Sequence, residues 1–243
     1  MYSPETDLLT GRVLLIDKPE GWTSFDAVNK VKRALLHAAL QGVEQAEERK
    51  RIKKKLKIGH AGTLDPLATG LLVVCTGPKT KTISEIQDAE KEYTGTILVG
   101  ATTPSYDREL PPDRHYPTDH IRESDILEAT RSLTGMQEQL PPAFSALKVG
   151  GKRAYELARQ GKEVEMKPRT VEILEFTITD NRFPELDFRV RCSKGTYIRT
   201  LAHDLGKRLG SGAYLLALRR TRIGNYRVED ARTPEAFAAQ FAG

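Results

Sequence analysis

A single carboxylate stands in the most constrained segment of the sequence, the twelve residues GHAGTLDPLATG at positions 59–70. Three glycines and one proline impose an unusual backbone path on this segment, and glycine lets the backbone of a ligand come close. Pro66 disfavours helical geometry at Asp65, so the carboxylate is predicted to lie extended on a rigid loop just before a strand. Such a loop suits a catalytic carboxylate, although an Asp before Pro is more often a simple turn residue.

The motifs of the common metal- and cofactor-dependent enzymes are missing. The sequence has no G-x-x-x-x-G-K-[ST] phosphate loop, no G-x-G-x-x-G dinucleotide motif and no G-x-S-x-G nucleophile elbow. Its five histidines form no recognisable ligand set. Cys75 and Cys192 lie far apart, and the apolar run LLVVC around Cys75 is typical of a buried, inert thiol. An enzyme built from this chain is therefore expected to use side chains alone, with no cofactor and no metal.

Positive charge is clustered along the chain. The formal net charge is +5, yet residues 49–57 (RKRIKKKLK) hold seven basic residues in nine. Residues 191–227 hold nine Lys or Arg against the single acid Asp204, interleaved with three tyrosines. Clustered positive charge is typical of a polyanion-binding surface, and interleaved aromatics favour nucleic acid. For the first cluster, a solvated helix face balanced by Glu44, Glu47 and Glu48 is an equally good interpretation.

The order of the predicted elements favours an α+β fold with a mixed, largely antiparallel central sheet flanked by helices. Apolar and alternating runs predict strands at 11–16, 71–75, 93–99, 171–179 and 186–192, the last two joined by a polar turn at 180–182. Helical spacing predicts helices from Thr23 or Ser24 past residue 38, and at 80–89, 124–133, 153–160 and 198–208. Asp26 is the predicted capping-box partner of Thr23.

Five motifs in order give the chain a resemblance to a known family. They are DKPEGWTS (17–24), GHAGTLDPLATG (59–70), KEY (91–93), PPAFSALK (141–148) followed by YE (155–156), and CSKGTYIRTL (192–201). Together they resemble the TruB family of pseudouridine synthases, which acts on the TΨC-arm uridine of tRNA. The resemblance extends over roughly residues 11–228.

This resemblance implies a cofactor-free isomerisation of uridine to pseudouridine at position 55 of tRNA. The N-glycosidic bond breaks, the uracil rotates and rejoins through carbon. Asp65 is then the catalytic carboxylate, whether it attacks C1′, adds to C6 or drives elimination to a glycal. Tyr197 takes or relays the C5 proton, or shields the site. Arg199 pairs with Asp65 and keeps it ionised.

The same resemblance implies residues that hold the target nucleotide. The uridine must swing out of its stack, and Tyr93 is the expected stacking platform. His60 fills the space of the vacated base or touches phosphate. Lys18 binds backbone phosphate or, equally, orients the turn of the first motif. Leu218 joins this substrate-binding group.

Basic residues are expected to bind the TΨC stem-loop without reading bases. The expected RNA-binding residues are Lys53, Lys54, Lys55, Lys194, Arg219, Arg220 and Arg222. The segment 41–55 resembles an expansion between the first two motifs, and TTPSYD at 102–107 is a looser form of the acidic pattern of the family. Asp107 is the acid of that segment.

The predicted organisation is one catalytic domain over residues 1–243, with two subdomains sharing one sheet as an option and no C-terminal PUA domain. The first residues lack the apolar core of a secretory signal, and no run of about 20 apolar residues is present, so the expected location is the cytoplasm, away from membranes. A monomer without guide RNA is expected. Two other functions remain open: a tRNA-folding chaperone, and a guide-RNA-dependent synthase subunit.

Overall fold

The computed structural model describes residues 11–241, so the expectation for the N-terminal segment before residue 11 lies outside the described part. The strands are β1 (Val13–Lys18), β2 (Ile58–Ala61), β3 (Thr69–Thr76), β4 (Lys91–Val99), β5 (Ala101–Thr102), β6 (Arg114–His115), β7 (Gly135–Gln139), β8 (Lys148–Val149), β9 (Lys152–Arg153), β10 (Arg169–Arg182), β11 (Glu185–Cys192), β12 (Ala213–Ile223) and β13 (Tyr226–Arg227). The helices are α1 (Ser24–Leu40), α2 (Ala46–Lys55), α3 (Ile83–Asp88), α4 (Glu123–Ser132), α5 (Ala154–Arg159), α6 (Ile198–Arg208) and α7 (Pro234–Ala239).

The chain folds into two compact units. The first combines Met1–Lys91 with Arg219–Gly243, and the second is Glu92–Leu218. Strand β12 passes from the second unit into the first within its own length. Each unit contains both helices and strands, and antiparallel pairing predominates. The predicted α+β class with a mixed, largely antiparallel sheet is confirmed.

Strand β3 is the centre of the first unit. Strand β1 pairs with it antiparallel from Val13↔Cys75 to Lys18↔Gly70. On the opposite edge of β3, β2 pairs antiparallel from Ile58↔Thr76 to Ala61↔Val73, while the end of β12 pairs parallel at Arg220↔Gly70. The 62–68 loop therefore leaves and rejoins the sheet between β2 and β12.

Both faces of β3 are buried, which explains its continuous apolar sequence. Leu72 and Val74 face a cluster that contains the apolar side of α1, including Val31 and Leu35. Leu71, Val73 and Cys75 face a second cluster with Ile86 and Ile223. Cys75 is a free cysteine and is buried, as its apolar surroundings in the sequence predict.

Helix α1 begins as the sequence predicts. The Thr23 hydroxyl accepts from the Asp26 backbone N–H at 3.1 Å, and the Asp26 carboxylate accepts from the Thr23 backbone N–H at 2.9 Å. This reciprocal capping box satisfies two N–H groups that the first helical turn would leave unbonded. The register of α1 relative to the preceding turn is fixed by these bonds.

In the second unit the strand order is β12–β4–β11–β10–β7. Strands β10 and β11 form a long antiparallel hairpin that ends at Arg182↔Glu185. The predicted turn at 180–182 is wrong, because these residues continue β10 and the chain turns at Phe183 and Pro184. The Arg182 guanidinium lies 3.3 Å from the Asp180 carboxylate on the same strand and 2.7 Å from the Asp187 carboxylate on β11.

Helix α6 provides the apolar face predicted for it, with Leu201, Ala202 and Leu205 buried. Strands β4 and β12 approach closely at Gly95, where an added Cβ would lie 2.2 Å from the Ala217 carbonyl oxygen. Among residues 11–241, no helix is long and apolar enough to cross a bilayer.

Candidate active site

Asp65 lies in the first unit, on the loop between the end of β2 and the start of β3. Its side chain is half-buried, and its carbonyl oxygen accepts from the Ala68 N–H at 3.1 Å, which closes a tight turn around Pro66. Gly62 and Gly70 bracket the loop at φ +87° and +100°, conformations that favour glycine. The loop is therefore constrained at both ends, as the density of glycines and proline predicts.

Ser24 ties this loop to the start of α1. Its hydroxyl accepts from the Leu64 N–H at 2.9 Å and donates to the Leu64 carbonyl at 3.1 Å, and the residue is 3% exposed. The Gly21 N–H donates to the Pro66 carbonyl at 2.9 Å. The residues on either side of Asp65 are thus fixed to the turn formed by the first motif.

Lys18 is buried beneath the same loop. Its ammonium donates to the carbonyls of Trp22 at 2.7 Å, Pro19 at 2.9 Å and Pro66 at 3.2 Å. Burial lowers the pKa of Lys18 to about 8, while the Asp65 carboxylate acts in the opposite direction. The expectation that Lys18 binds phosphate is corrected, because a fully enclosed ammonium with three carbonyl partners orients the turn instead.

Arg220 connects the two ends of the loop. At 1% exposure, its Nε donates to the Leu71 carbonyl at 2.8 Å and a terminal nitrogen donates to the Gly62 carbonyl at 3.0 Å. The prediction that Arg220 faces RNA is therefore wrong, because its guanidinium is directed into the protein. The positive charge of Arg220 also affects His60. Burial and the nearby Arg220 charge lower the pKa of His60, so this half-buried imidazole is neutral near pH 7.

The second unit holds the other predicted catalytic residues at the start of α6. The Gln139 side chain accepts from the Tyr197 N–H at 2.7 Å and donates to the Tyr197 carbonyl at 3.1 Å. Tyr197 is half-buried, with the Arg169 guanidinium 5.8 Å from its ring centroid. These contacts fix the backbone from which the Tyr197 ring projects.

Arg199 is 4% exposed and held from several sides. Its terminal nitrogens donate to the carbonyls of Phe144 at 2.9 Å and Ser105 at 3.1 Å, and its Nε lies 3.7 Å from the Asp107 carboxylate. The Ser105 hydroxyl donates to that carboxylate at 2.6 Å. A guanidinium with so many partners has a fixed direction.

The turn beside Arg199 adopts an unusual backbone conformation. Tyr106 has φ +62°, the one positive value among the non-glycine residues at 11–241. Its ring stacks on His203 with 3.9 Å between centroids and 10° between planes. Burial lowers the pKa of His203 to about 4, so the stacked imidazole is neutral.

The remaining predicted substrate- and RNA-binding residues differ in how exposed their side chains are. Tyr93 on β4 is buried at 8% exposure, and Leu218 on β12 is half-buried. Lys53, Lys54, Lys55 and Lys194 are exposed. Arg219 forms a two-point ion pair with Asp17 at 2.8 and 3.0 Å, and Arg222 donates to the Gly224 carbonyl at 3.0 Å. Their roles toward RNA stay predictions.

Comparison with known proteins decides the family. The description "TruB family pseudouridylate synthase (N terminal domain)" matches residues 49–198, and "tRNA pseudouridylate synthase B C-terminal domain" matches residues 199–242. The chain belongs to the TruB family. The chain is 54% identical over 229 residues to tRNA pseudouridine synthase B of Flavobacterium johnsoniae, covering 94% of this chain and 95% of that protein. For the protein of the same name from Phocaeicola vulgatus, identity is 50% over 227 residues, covering 93% and 92%.

Solved structures support the TruB fold. A chain in a Cbf5–Nop10–Gar1 complex is 26% identical with a TM-score of 0.64, covering 93% of this chain and 52% of that one. A chain in an archaeal box H/ACA sRNP Nop10–Cbf5 complex is 24% identical with a TM-score of 0.66, covering 99% and 57%. This TruB chain spans about half the length of those chains. The family read from the five motifs is confirmed.

Sequence reasoning missed several residues that shape the TruB site. Ser24 is predicted as an alternative helix cap and as the last residue of the first motif, but its bonds to Leu64 are not predicted. Nothing in the sequence indicates a role for Gln139 or Tyr106, because their importance comes from contacts with residues that are distant in the chain. Among residues 11–241, no group of three or more His, Cys, Asp or Glu side chains is placed to hold a metal ion.

Proposed function

We propose that this chain isomerises a uridine in the TΨC arm of tRNA, at position 55, to pseudouridine, with Asp65 as the catalytic carboxylate and no cofactor. As a TruB-family member about half identical to curated tRNA pseudouridine synthase B proteins, the chain is a tRNA pseudouridine synthase. The observation that carries the role of Asp65 is its half-buried position on a loop fixed by Lys18, Ser24 and Arg220.

The reaction needs an ionised carboxylate at a fixed position. Attack on C1′, addition to C6 and elimination to a glycal all begin from the charged form of Asp65. Lys18, with its ammonium under the loop, and Arg220, with its guanidinium spanning the loop, place two positive charges close to this carboxylate. Nearby positive charge favours the ionised form.

Other residues have proposed roles in binding and proton transfer. Tyr197 takes or relays the proton from C5 of the rejoined uracil. Arg199 pairs with Asp65 and keeps it ionised, and the neutral ring of His60 fills the space that the flipped base vacates or touches phosphate. Tyr93 and Leu218 contact the uracil. Support for these roles comes from the matching motifs and from the rigid backbone settings of Tyr197 and Arg199.

The proposed RNA contacts are assigned to the basic side chains that are accessible to solvent. Lys53, Lys54, Lys55 and Lys194 are accessible to phosphate, Arg219 is accessible on one side, and Arg222 contributes charge. Arg220 is withdrawn from this group. Binding through phosphates weakens as salt rises, because condensed counterions are released on association.

One catalytic domain, a monomeric state, a cytoplasmic location and independence from guide RNA also belong to the proposal. Support for the single catalytic domain comes from curated relatives that match this chain along more than nine-tenths of their own length. The description of the C-terminal match names a TruB C-terminal domain at 199–242. Activity of purified protein on naked tRNA transcript tests the absence of a guide.

The deciding experiment measures tritium release from tRNA transcript labelled at C5 of uridine. Wild type is expected to release tritium, and Asp65→Asn is expected to bind tRNA without releasing it. Asp119→Asn is the matched control, because Asp119 is exposed on a loop of the second unit and has no proposed role. A folded, tRNA-binding wild type that releases no tritium would overturn the proposal and favour a folding chaperone.

A further inference from the structure

Helix α1 presents one side to the protein and the other to solvent. Its apolar positions, among them Ala27, Val31 and Leu35, are buried. On the other side, four residues form a strip, referred to as the 25–33 strip: Phe25, Asn29, Lys32 and Arg33. Asn29 follows Phe25 by four positions, and Lys32 and Arg33 follow Asn29 by three and four. Phe25 and Arg33 are exposed and the other two are half-buried. At 1.5 Å per residue the strip is about 12 Å long.

Phe25 is the most exposed large apolar side chain in the part of the chain that is described, at 69%. A single exposed apolar residue is ordinary on a protein surface. Its neighbour is not ordinary: Ser24 is 3% exposed and bonds both backbone groups of Leu64, the residue before Asp65. Through that contact, standard bond lengths place the Cα atoms of Phe25 and Asp65 within about 15 Å of each other.

The backbone position of Phe25 is fixed before any ligand binds. The capping box between Thr23 and Asp26 sets the first turn of α1 on either side of it. A ring on a rigid backbone loses little conformational freedom on binding, which favours affinity. The backbone that carries the exposed ring is thus preorganised beside the proposed catalytic loop.

Charge along the strip is positive. Lys32 and Arg33 belong to it, and exposed Lys30 lies next to it. Asp26 is the one acid in α1, and its carboxylate is engaged by the backbone N–H and hydroxyl of Thr23. An aromatic ring followed by an amide and two cations matches single-stranded nucleic acid, in which bases stack and phosphates pair with cations.

We infer that the 25–33 strip binds the tRNA strand that flanks the target uridine: Phe25 stacks on one unpaired base, while Lys32 and Arg33 contact successive phosphates. The inference rests on the proposed function, because it takes the partner of the Asp65 loop to be a uridine in RNA. It places a second contact with the tRNA on α1, outside the catalytic motif at residues 59–70. Asn29 lies between the ring and the cations, within reach of a ribose or base edge.

The test compares tRNA affinity by filter binding and single-turnover tritium release for matched variants. Phe25→Ala is expected to weaken tRNA binding by about fivefold to a hundredfold, the range of one lost base stack. Phe25→Trp, which keeps a stacking face, is expected to retain affinity. Met136→Ala is the control, because Met136 is equally exposed at 68% and lies on β7 of the second unit.

The two cations are tested by salt dependence. Lys32→Gln with Arg33→Gln is expected to reduce the slope of log affinity against log salt by roughly 1.4, at about 0.7 per phosphate contact on a single strand. Phe25→Ala is expected to leave that slope unchanged. Thermal unfolding of each variant is expected to show that the fold is retained, because Phe25 and Arg33 are exposed and Lys32 is only half-buried.

The outcomes separate the two proposals. Wild type that releases no tritium from tRNA overturns the proposed function itself. Wild-type release together with unchanged affinity in Phe25→Ala overturns this inference alone, as does an equal loss in Met136→Ala. Loss of binding to a protein partner with tRNA affinity intact would also overturn it, since the strip would then be a protein-docking face.

Discussion

Replacing Ser24 by Ala removes the hydroxyl that holds the loop of Asp65. The Leu64 N–H loses its acceptor at 2.9 Å and the Leu64 carbonyl loses its donor at 3.1 Å. A buried polar group left unpaired costs about 1–3 kcal/mol. Two such groups, partly relieved by local movement, give an expected loss of about 2–4 kcal/mol in the free energy of unfolding. Alanine is well tolerated in a helix, so α1 itself adds little to this loss.

The same change is expected to slow the reaction. A loop that shifts by about 1 Å displaces the carboxylate from the reacting atoms, and displacements of that size cost on the order of a hundredfold in rate. Single-turnover tritium release with Ser24→Ala is therefore expected to fall by roughly tenfold to a hundredfold. Urea unfolding measures the stability loss in the same preparations.

Ser211→Ala is the matched control for Ser24→Ala. Ser211 is also buried, at 7% exposure, and donates one bond, 3.1 Å long, to the Pro117 carbonyl of the second unit. Its loss is expected to cost about 1 kcal/mol and leave the rate unchanged. If Ser24→Ala costs no more stability than Ser211→Ala and releases tritium at the wild-type rate, the role assigned to the two Ser24–Leu64 hydrogen bonds is refuted.

Two further predictions concern the same unit. Because burial lowers the pKa of Lys18 from 10.5 to about 8, its ammonium destabilises the fold below pH 8, and this penalty declines as the pH rises toward 10.5. The unfolding free energy of wild type relative to Lys18→Met should thus rise by about 1–2 kcal/mol between pH 8 and 10; urea titrations that give a constant difference would contradict this. Gly70→Ala should cost at least about 3 kcal/mol, because its Cβ would lie 2.3 Å from the Arg220 carbonyl oxygen at φ +100°. Gly21→Ala, with φ +81° and nothing within 4 Å, should cost only about 1 kcal/mol, and equal losses in the two variants would show that crowding is unimportant.

Features that depend on neighbouring residues were predictable from the sequence. The capping box of Thr23 and Asp26 is a pattern within four consecutive residues, and the constrained loop around Asp65 follows from its glycines and proline. The apolar run of β3 indicated a buried strand. Each of these rests on local backbone chemistry, which the sequence displays directly.

Features that depend on distant contacts were not predictable. Because Arg220 follows an apolar stretch, the sequence predicts a charge at the surface. It is buried because β12 pairs with β3, which lies about 150 positions earlier in the chain. Lys18 reads as a turn residue until its three carbonyl partners are known. Arg199 and Asp107 likewise meet across a long separation, so their charges gave no indication of a pair.

The polar hairpin end shows a different source of error. Asp180, Asn181 and Arg182 have the composition of a turn, but they continue the strand at positions that are exposed. Side chains at such positions are polar whether the backbone turns or remains extended. Composition alone therefore placed the turn three residues early.

The contacts of Arg220 impose an order on events during synthesis. The ribosome adds about 5–20 residues per second, so the Asp65 loop emerges roughly 10–30 s before the strand that carries Arg220. Until then the carbonyls of Gly62 and Leu71 lack their guanidinium partner, and the parallel edge at Gly70 has no strand beside it. A nascent chain thus displays its carboxylate early but acquires a rigid loop only after the strand that carries Arg220 has been added, which delays catalytic competence until then.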